Sequence, residues 1–106
     1  MLVLIDENLP QKLRLSLTGH DVRTVGYEGW AGLVNGALLR AAEVAGFEVL
    51  LTADQSIRYQ RNPKRKLALV VLSTNRRILV MAHVERIAAA IDEAVAGSVN
   101  FVEIGF

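Results

Sequence analysis

Short apolar runs rich in valine, leucine and isoleucine alternate along this chain with longer segments of helical periodicity. This alternation is typical of βα units built on a mainly parallel sheet. Strands are expected at five places, near Leu2 to Ile5, Asp21 to Val25, Glu48 to Thr52, Leu67 to Leu72 and Asn100 to Ile104. The pattern therefore predicts an α/β fold with a five-stranded, mainly parallel sheet.

Two helices are predicted in the first half of the chain. The first begins near Asn8 or Leu9, carries Pro10 in its first turn, where a missing N–H does no harm, and ends at Gly19. The second runs from about Gly36 to Ala45. Each lies between two predicted strands, as a crossover connection requires.

The third predicted helix is the best marked and runs from about Arg76 to Ala96, with Asn75 as its N-cap and Gly97 as its terminator. Its apolar residues recur at helical spacing and are expected to cover the sheet. These residues are Val80, Val84, Ile87, Ile91 and Val95.

Length and composition limit the class of protein. A chain of 106 residues, 52% of them hydrophobic, fits a single domain covering residues 1–106. The absence of cysteine excludes disulfides and thiolate zinc sites and suits a reducing cytoplasm. No apolar run approaches the roughly 20 residues that a bilayer-spanning helix needs. We therefore expect one cytoplasmic domain with no membrane partner.

Positive charge is concentrated in one part of the chain. The net charge is only +1, but no acid occurs between Asp54 and Glu85. The cations in that interval are Arg58, Arg61, Lys64, Arg65, Lys66, Arg76 and Arg77. The stretch directly after Asp54 is either a solvated basic loop or a surface that binds phosphates. In the second interpretation, the residues that contact nucleic acid are Arg58, Arg61, Lys64 and Arg65.

Acidic residues follow two of the predicted strands. Asp6 comes directly after the first strand, and Asp54 follows the third. Ligands of open parallel sheets bind beyond the carboxyl ends of the strands, so these carboxylates face one crevice if the two strands are neighbours. Two buried like charges need a cation, and ligands that are all oxygen favour Mg²⁺ or Mn²⁺. Glu7 and Asn8 would assist as further ligands. The alternative is that both aspartates only cap the helices that follow them.

Four stretches resemble a known family and occur in its order over nearly the whole chain. They are "LIDENLP", "GHDVRTVG", "GALLRAAEVAGFEVLLTAD" and "VVLSTN". Together they resemble the small PIN-like proteins of bacteria, which are related to the VapC-type toxin nucleases. The resemblance implies a PIN-like three-layer α/β/α sandwich and Mg²⁺-dependent cleavage of RNA, as the toxin of a toxin–antitoxin pair.

The resemblance also assigns residues. Asp6 matches the metal carboxylate of the first strand, Asn8 the polar residue after it, and Asp54 the acid after the third strand. The chain departs from the family at the start of the middle helix, where an acid is usual and Asn35 begins "NGA". It departs again at Ser56, where many relatives carry a second acid.

Three functions stay open at this point. The preferred one is a Mg²⁺- or Mn²⁺-dependent ribonuclease acting on single-stranded RNA, with Asp6 and Asp54 as catalytic metal ligands. A binding domain that has kept the fold and lost the chemistry is the second. The third is a receiver-like phosphoacceptor module, with Asp6 and Glu7 after the first strand, Asp54 after the third and Ser73 or Thr74 after the fourth. The fifth strand, however, is followed by no lysine. An antitoxin partner and a homodimer are left open.

Overall fold

Five parallel strands form the central sheet of this protein. The computed structural model describes residues 1–59 and 64–105. The strands are β1 (Leu2–Ile5), β2 (Asp21–Thr24), β3 (Val49–Thr52), β4 (Ala68–Leu72) and β5 (Val99–Val102). They lie in the order β2-β1-β3-β4-β5, and each neighbouring pair is parallel. The predicted sheet is confirmed, and no strand end differs from the prediction by more than two residues.

Helices cover both faces of this sheet. One face packs against α1 (Asn35–Val44) and a 3₁₀ helix, Gln55–Tyr59. The other face packs against a 3₁₀ helix, Gln11–Leu15, and against α2 (Arg77–Ala82) and α3 (Val84–Asp92). Because β3 and β4 are sandwiched between the two layers, all of their residues are buried, as is usual for parallel strands. The predicted three-layer α/β/α sandwich is confirmed.

The predicted first helix is wrong in type and length. Instead of an α-helix from Asn8 to Gly19, the segment forms the short 3₁₀ helix Gln11–Leu15. Its apolar residues still recur every four positions, since Leu9, Leu13 and Leu17 are buried. Helices this short gain little from propagation, and serine and threonine near their ends favour turns over helix. The burial pattern was therefore read correctly, but the backbone conformation was not.

The predicted third helix is two helices separated at His83. The Nδ1 atom of His83 donates to the carbonyl oxygen of Leu79 at 2.8 Å, and the backbone N–H of His83 bonds to Val80 instead. A side chain inserted in this way interrupts the helical hydrogen-bond ladder. α3 also ends at Asp92 rather than Ala96.

Two details of that helix were also predicted incorrectly. Arg76, rather than Asn75, is the N-cap of α2, and the backbone N–H of Arg76 donates to the Oγ1 atom of Thr74. Val95, predicted to face the sheet, is 65% exposed because α3 ends before it.

Across residues 1–59 and 64–105, no helix has the length and apolar character of a bilayer span.

The glycine-rich segment between β2 and α1 packs onto the α1 layer. The ring of Trp30 lies edge-to-face on Phe47, with centroids 5.9 Å apart and planes at 72°. Val25, where the segment begins, is fully buried, and Leu33 packs against the same cluster. These contacts hold the loop against the hydrophobic cluster under α1.

Candidate functional site

A cavity of about 140 Å³ opens at the carboxyl edge of the sheet, where β1 and β3 end. The chain crosses from β1 to β2 on one side and reaches β3 on the other, so the strand order reverses at this point. Ligands of doubly wound sheets bind at such a reversal. The cavity brings together four residues that were predicted from the sequence, Asp6, Glu7, Asn8 and Asp54, and its remaining walls come from the loop before α1, α1 itself and the 3₁₀ helix after β3.

Asp6 is a buried carboxylate, only 8% exposed. Its backbone N–H donates to Leu51, which extends the pairing of β1 with β3 by one residue. Its Oδ1 accepts from the N–H of Glu7 at 2.8 Å, and its Oδ2 accepts from the Thr52 hydroxyl at 2.6 Å. Asp6 is not a helix cap, because the 3₁₀ helix that follows begins later, with Pro10 as its N-cap. A cation in the cavity would offset the free energy of burying this charge.

Thr52 connects the acidic residues and was missed by the sequence analysis. Its side chain is fully buried, and its hydroxyl donates to Asp6 while accepting from the backbone N–H of Asp54 at 3.0 Å. The Nδ2 atom of Asn8 also approaches this hydroxyl, at 3.5 Å. The available signal was a single polar residue ending the aliphatic strand "VLLT", because a buried hydroxyl requires partners.

Asp54 divides its two carboxylate oxygens between two roles. Oδ1 accepts from the N–H of Ser56 at 3.0 Å and from its hydroxyl at 2.7 Å, which caps the 3₁₀ helix Gln55–Tyr59. The helix-cap interpretation therefore accounts for this oxygen. Within the described residues, Oδ2 accepts no hydrogen bond. Asp54 is one of the residues that line the cavity.

Asn8 and Glu7 hold neighbouring segments in place. The Oδ1 atom of Asn8 accepts from the backbone N–H of Ala53 at 3.3 Å, which ties the end of β1 to the end of β3. The Oε1 atom of Glu7 accepts from the N–H of Gly32 at 3.3 Å, which ties the glycine-rich loop to the same edge. Both side chains line the cavity, but their hydrogen bonds give them a positioning role.

Asn35, at the start of α1, lines the cavity and has a buried polar atom. Its Oδ1 is buried without a hydrogen-bond donor among the described residues. Its backbone has a φ of +48°, in the left-handed region that is uncommon for residues other than glycine. A buried unpaired acceptor costs about 1–3 kcal/mol, and such strain clusters at functional sites. In the sequence, Asn35 stood out only because the PIN-like family usually carries an acid at this position.

The oxygens of the cavity fit a hard divalent ion. Two of the residues that line it, Asp6 and Asp54, carry carboxylates. In the described part of the chain, no three His, Cys, Asp or Glu side chains form a metal-binding group. Mg²⁺ is commonly held by one or two carboxylates and completes its shell with waters and substrate phosphates. Two carboxylates therefore suit Mg²⁺ or Mn²⁺ with open positions.

The basic residues predicted to bind nucleic acid are not brought to this cavity where the structure describes them. The guanidinium of Arg65 donates to the carbonyls of Leu67 at 3.1 Å and Gly97 at 3.3 Å, at the amino edge of the sheet. Lys64 is its exposed neighbour. Arg61 lies outside the described residues, and the side chain of Arg58 does as well. Nucleic-acid contact by these residues stays a prediction.

Comparison with protein-family models, with curated proteins and with solved structures gives no match for this chain. The cavity is therefore interpreted from its own geometry and chemistry.

Proposed function

We propose that this protein is a Mg²⁺- or Mn²⁺-dependent ribonuclease of the PIN-like type that cleaves single-stranded RNA. One observation carries the proposal. The carboxylate of Asp6 is buried, the Oδ2 atom of Asp54 accepts no hydrogen bond within the described residues, and both side chains line one cavity at the point where the strand order reverses. The family resemblance supports the same reaction. An antitoxin partner stays a prediction from that resemblance alone.

The residues of the site have separate tasks in this reaction. A divalent ion, when bound, supplies the Lewis acid that polarises a phosphodiester and activates a water. Thr52 holds Asp6 in place through its hydroxyl. Ser56 engages one oxygen of Asp54 and leaves the other for the ion. Asn8 fixes the distance between the two strand ends that carry the acids.

The size of the cavity limits what enters it. A volume of about 140 Å³ accommodates an ion with a few waters, since one water takes about 30 Å³ of liquid volume. An RNA strand lying across the sheet edge would present a phosphate to the ion. With two carboxylates as ligands, the ion binds more tightly once that phosphate is present.

The first test is the effect of Mn²⁺ on thermal unfolding. A ligand that binds only the folded state stabilises it by about 2.7 kcal/mol at a hundredfold excess over its Kd. We expect Mn²⁺ to raise the Tm of the wild type and to lose this effect in Asp54→Asn. Asn35→Asp adds a third carboxylate, so it should lower the Tm without metal and enlarge the shift with Mn²⁺. Equal shifts in wild type and Asp54→Asn would show that these acids are not the site.

Cleavage is measured on the same variants with an end-labelled single-stranded RNA. We expect chelator-sensitive cleavage that is abolished by Asp6→Asn, which keeps the shape of the side chain. Asp21→Asn is the matched control, because Asp21 is exposed and lies at the amino end of β2. Cleavage that survives in Asp6→Asn would reject Asp6 as the catalytic ligand.

A phosphoacceptor module is the second candidate, because one observation favours it. The order β2-β1-β3-β4-β5 is that of flavodoxin-like proteins, which include receiver domains, and Asp54 follows β3. Against it, the hydroxyl of Ser73 donates to the carbonyl of Ile104 and accepts from its N–H, so it is engaged in the packing of the last segment. Covalent labelling of wild type but not Asp54→Asn by acetyl phosphate would replace the ribonuclease proposal with this one.

A further inference from the structure

A second groove, of about 400 Å³, opens at the same edge of the sheet. Its walls come from the segments that follow β1 and β4. The polar residues and the proline that line it are Asn8, Pro10, Gln11, Lys12, Asn75 and Arg77. Parallel strands end at one edge, so the groove and the metal cavity both open at the carboxyl edge. We call this feature the basic groove.

The basic groove and the metal cavity lie in different layers and share one residue. The cavity is lined by Leu38 and Ile57, which belong to the core under α1. The groove is lined by Leu9, which belongs to the core under α2 and α3. Asn8 lines both, and its amide is fixed by its hydrogen bond to the N–H of Ala53. It therefore forms a wall between them.

The charges of the two sites have opposite signs. The charged residues that line the cavity are all acidic, Asp6, Glu7 and Asp54. Those that line the groove are Lys12 and Arg77, and both are exposed. Neither cation forms an ion pair within the described residues, where the recorded pairs involve other side chains. A cationic groove beside a site for a divalent ion matches an extended anion that reaches both.

We propose that the basic groove binds the backbone of single-stranded RNA, with Lys12 and Arg77 contacting the phosphates next to the one held in the cavity. This inference rests on the proposed function and names the path of its substrate. A strand that presents one phosphate to the cavity continues along the sheet edge, and Asn8 is the residue that it passes on the way to the groove. Guanidinium groups bind phosphate through paired hydrogen bonds, and lysine binds it as a point charge.

The test is the salt dependence of RNA binding, measured by fluorescence anisotropy with a labelled single-stranded RNA in the presence of a chelator. Each phosphate contact contributes about −0.7 to the slope of log K against log salt for single strands. The double variant Lys12→Ala/Arg77→Ala should therefore bind with a slope less steep by about 1.4.

Arg14→Ala/Arg86→Ala is the matched control for this variant. It removes the same charge from two exposed arginines that do not line the basic groove. We expect its slope to equal that of the wild type. Equal slopes in all three proteins, equal changes in both double variants, or no RNA binding by the wild type at low salt would each overturn the proposal. Thermal unfolding of each variant shows whether the fold is intact.

The Mn²⁺ experiment separates this proposal from the one on which it rests. Lys12→Ala/Arg77→Ala should keep the full Mn²⁺-induced rise in Tm, because neither residue lines the cavity. An unchanged slope together with a retained Mn²⁺ effect rejects the groove and leaves the metal site supported. A reduced slope in a protein that Mn²⁺ does not stabilise supports the groove and rejects the metal site.

Discussion

Individual polar side chains at the carboxyl edge of the sheet determine the shape of the candidate site. The Thr52 hydroxyl serves the carboxylate of Asp6 and the backbone of Asp54 at once. The amide of Asn8 fixes Ala53, and within the described residues the buried Oδ1 atom of Asn35 has no donor. Satisfied groups of this kind hold the site rigid, while a buried acceptor without a donor costs free energy.

Replacing Thr52 tests the hydrogen-bond network that joins Asp6 to Asp54. Thr52→Val keeps the shape but removes the donor to Asp6 and the acceptor for Asp54, so we expect the free energy of unfolding to fall by about 1–3 kcal/mol. Thr52→Ser keeps the hydroxyl and loses one methyl group, which costs about 0.8 kcal/mol. Urea unfolding in the absence of divalent ions measures both. A valine variant as stable as the serine variant would contradict the network.

The cavity exists because three elements end or begin at one place. β1 ends at Ile5, β3 ends at Thr52, and α1 begins at Asn35. The opposite edge of the sheet depends on tight turns into the strands. Gly46 precedes β3 with a φ of +89°, and Gly97 precedes β5 with a φ of +79°.

Gly46 and Gly97 allow a matched test of how the turns before β3 and β5 contribute to stability. An alanine at either position adopts a left-handed backbone, which costs roughly 1–2 kcal/mol. At Gly46 the added methyl meets nothing within 4 Å, but at Gly97 it lies 2.7 Å from the carbonyl oxygen of Arg65. We therefore expect Gly97→Ala to lose more free energy of unfolding than Gly46→Ala in urea. Equal losses would mean that the segment at Arg65 moves away without penalty.

The whole molecule has two hydrophobic layers that share the same strands. Neighbouring residues of one strand point to different layers. Leu50 packs under α1, and Leu51 packs under α2 and α3. Neither layer is complete without the sheet, so the protein should unfold as one cooperative unit.

Leu50→Ala and Leu51→Ala test whether the two layers unfold cooperatively. Both leucines are fully buried, so each variant should lose about 2–5 kcal/mol of stability. Trp30 is the single tryptophan and belongs to the α1 layer, so its fluorescence reports that layer, whereas far-UV circular dichroism reports the whole fold. We expect the two signals to change at the same urea concentration in both variants. Separate transitions in Leu51→Ala would show that the layers unfold independently.

Local patterns in the sequence determined the strands, the middle helix and the position of the acids. Burial on both faces leaves a continuous apolar signal in β1, β3 and β4, whereas β2 and β5 are mostly exposed or half-buried. Asp6 and Asp54 were identified because an acid after a buried strand stands out against its neighbours. Their shared crevice, however, was conditional on β1 and β3 being adjacent.

Only the tertiary structure decided which of these residues meet. Strand order placed β1 beside β3, and parallel direction placed Arg65 at the amino edge, away from the carboxylates. The role of Thr52 and the unpaired state of Asn35 depend on hydrogen-bond partners supplied or withheld by distant segments. Periodicity records whether a side chain is buried, because burial repeats with the local backbone. It does not record the partner of a buried polar atom, because that partner is set by long-range packing.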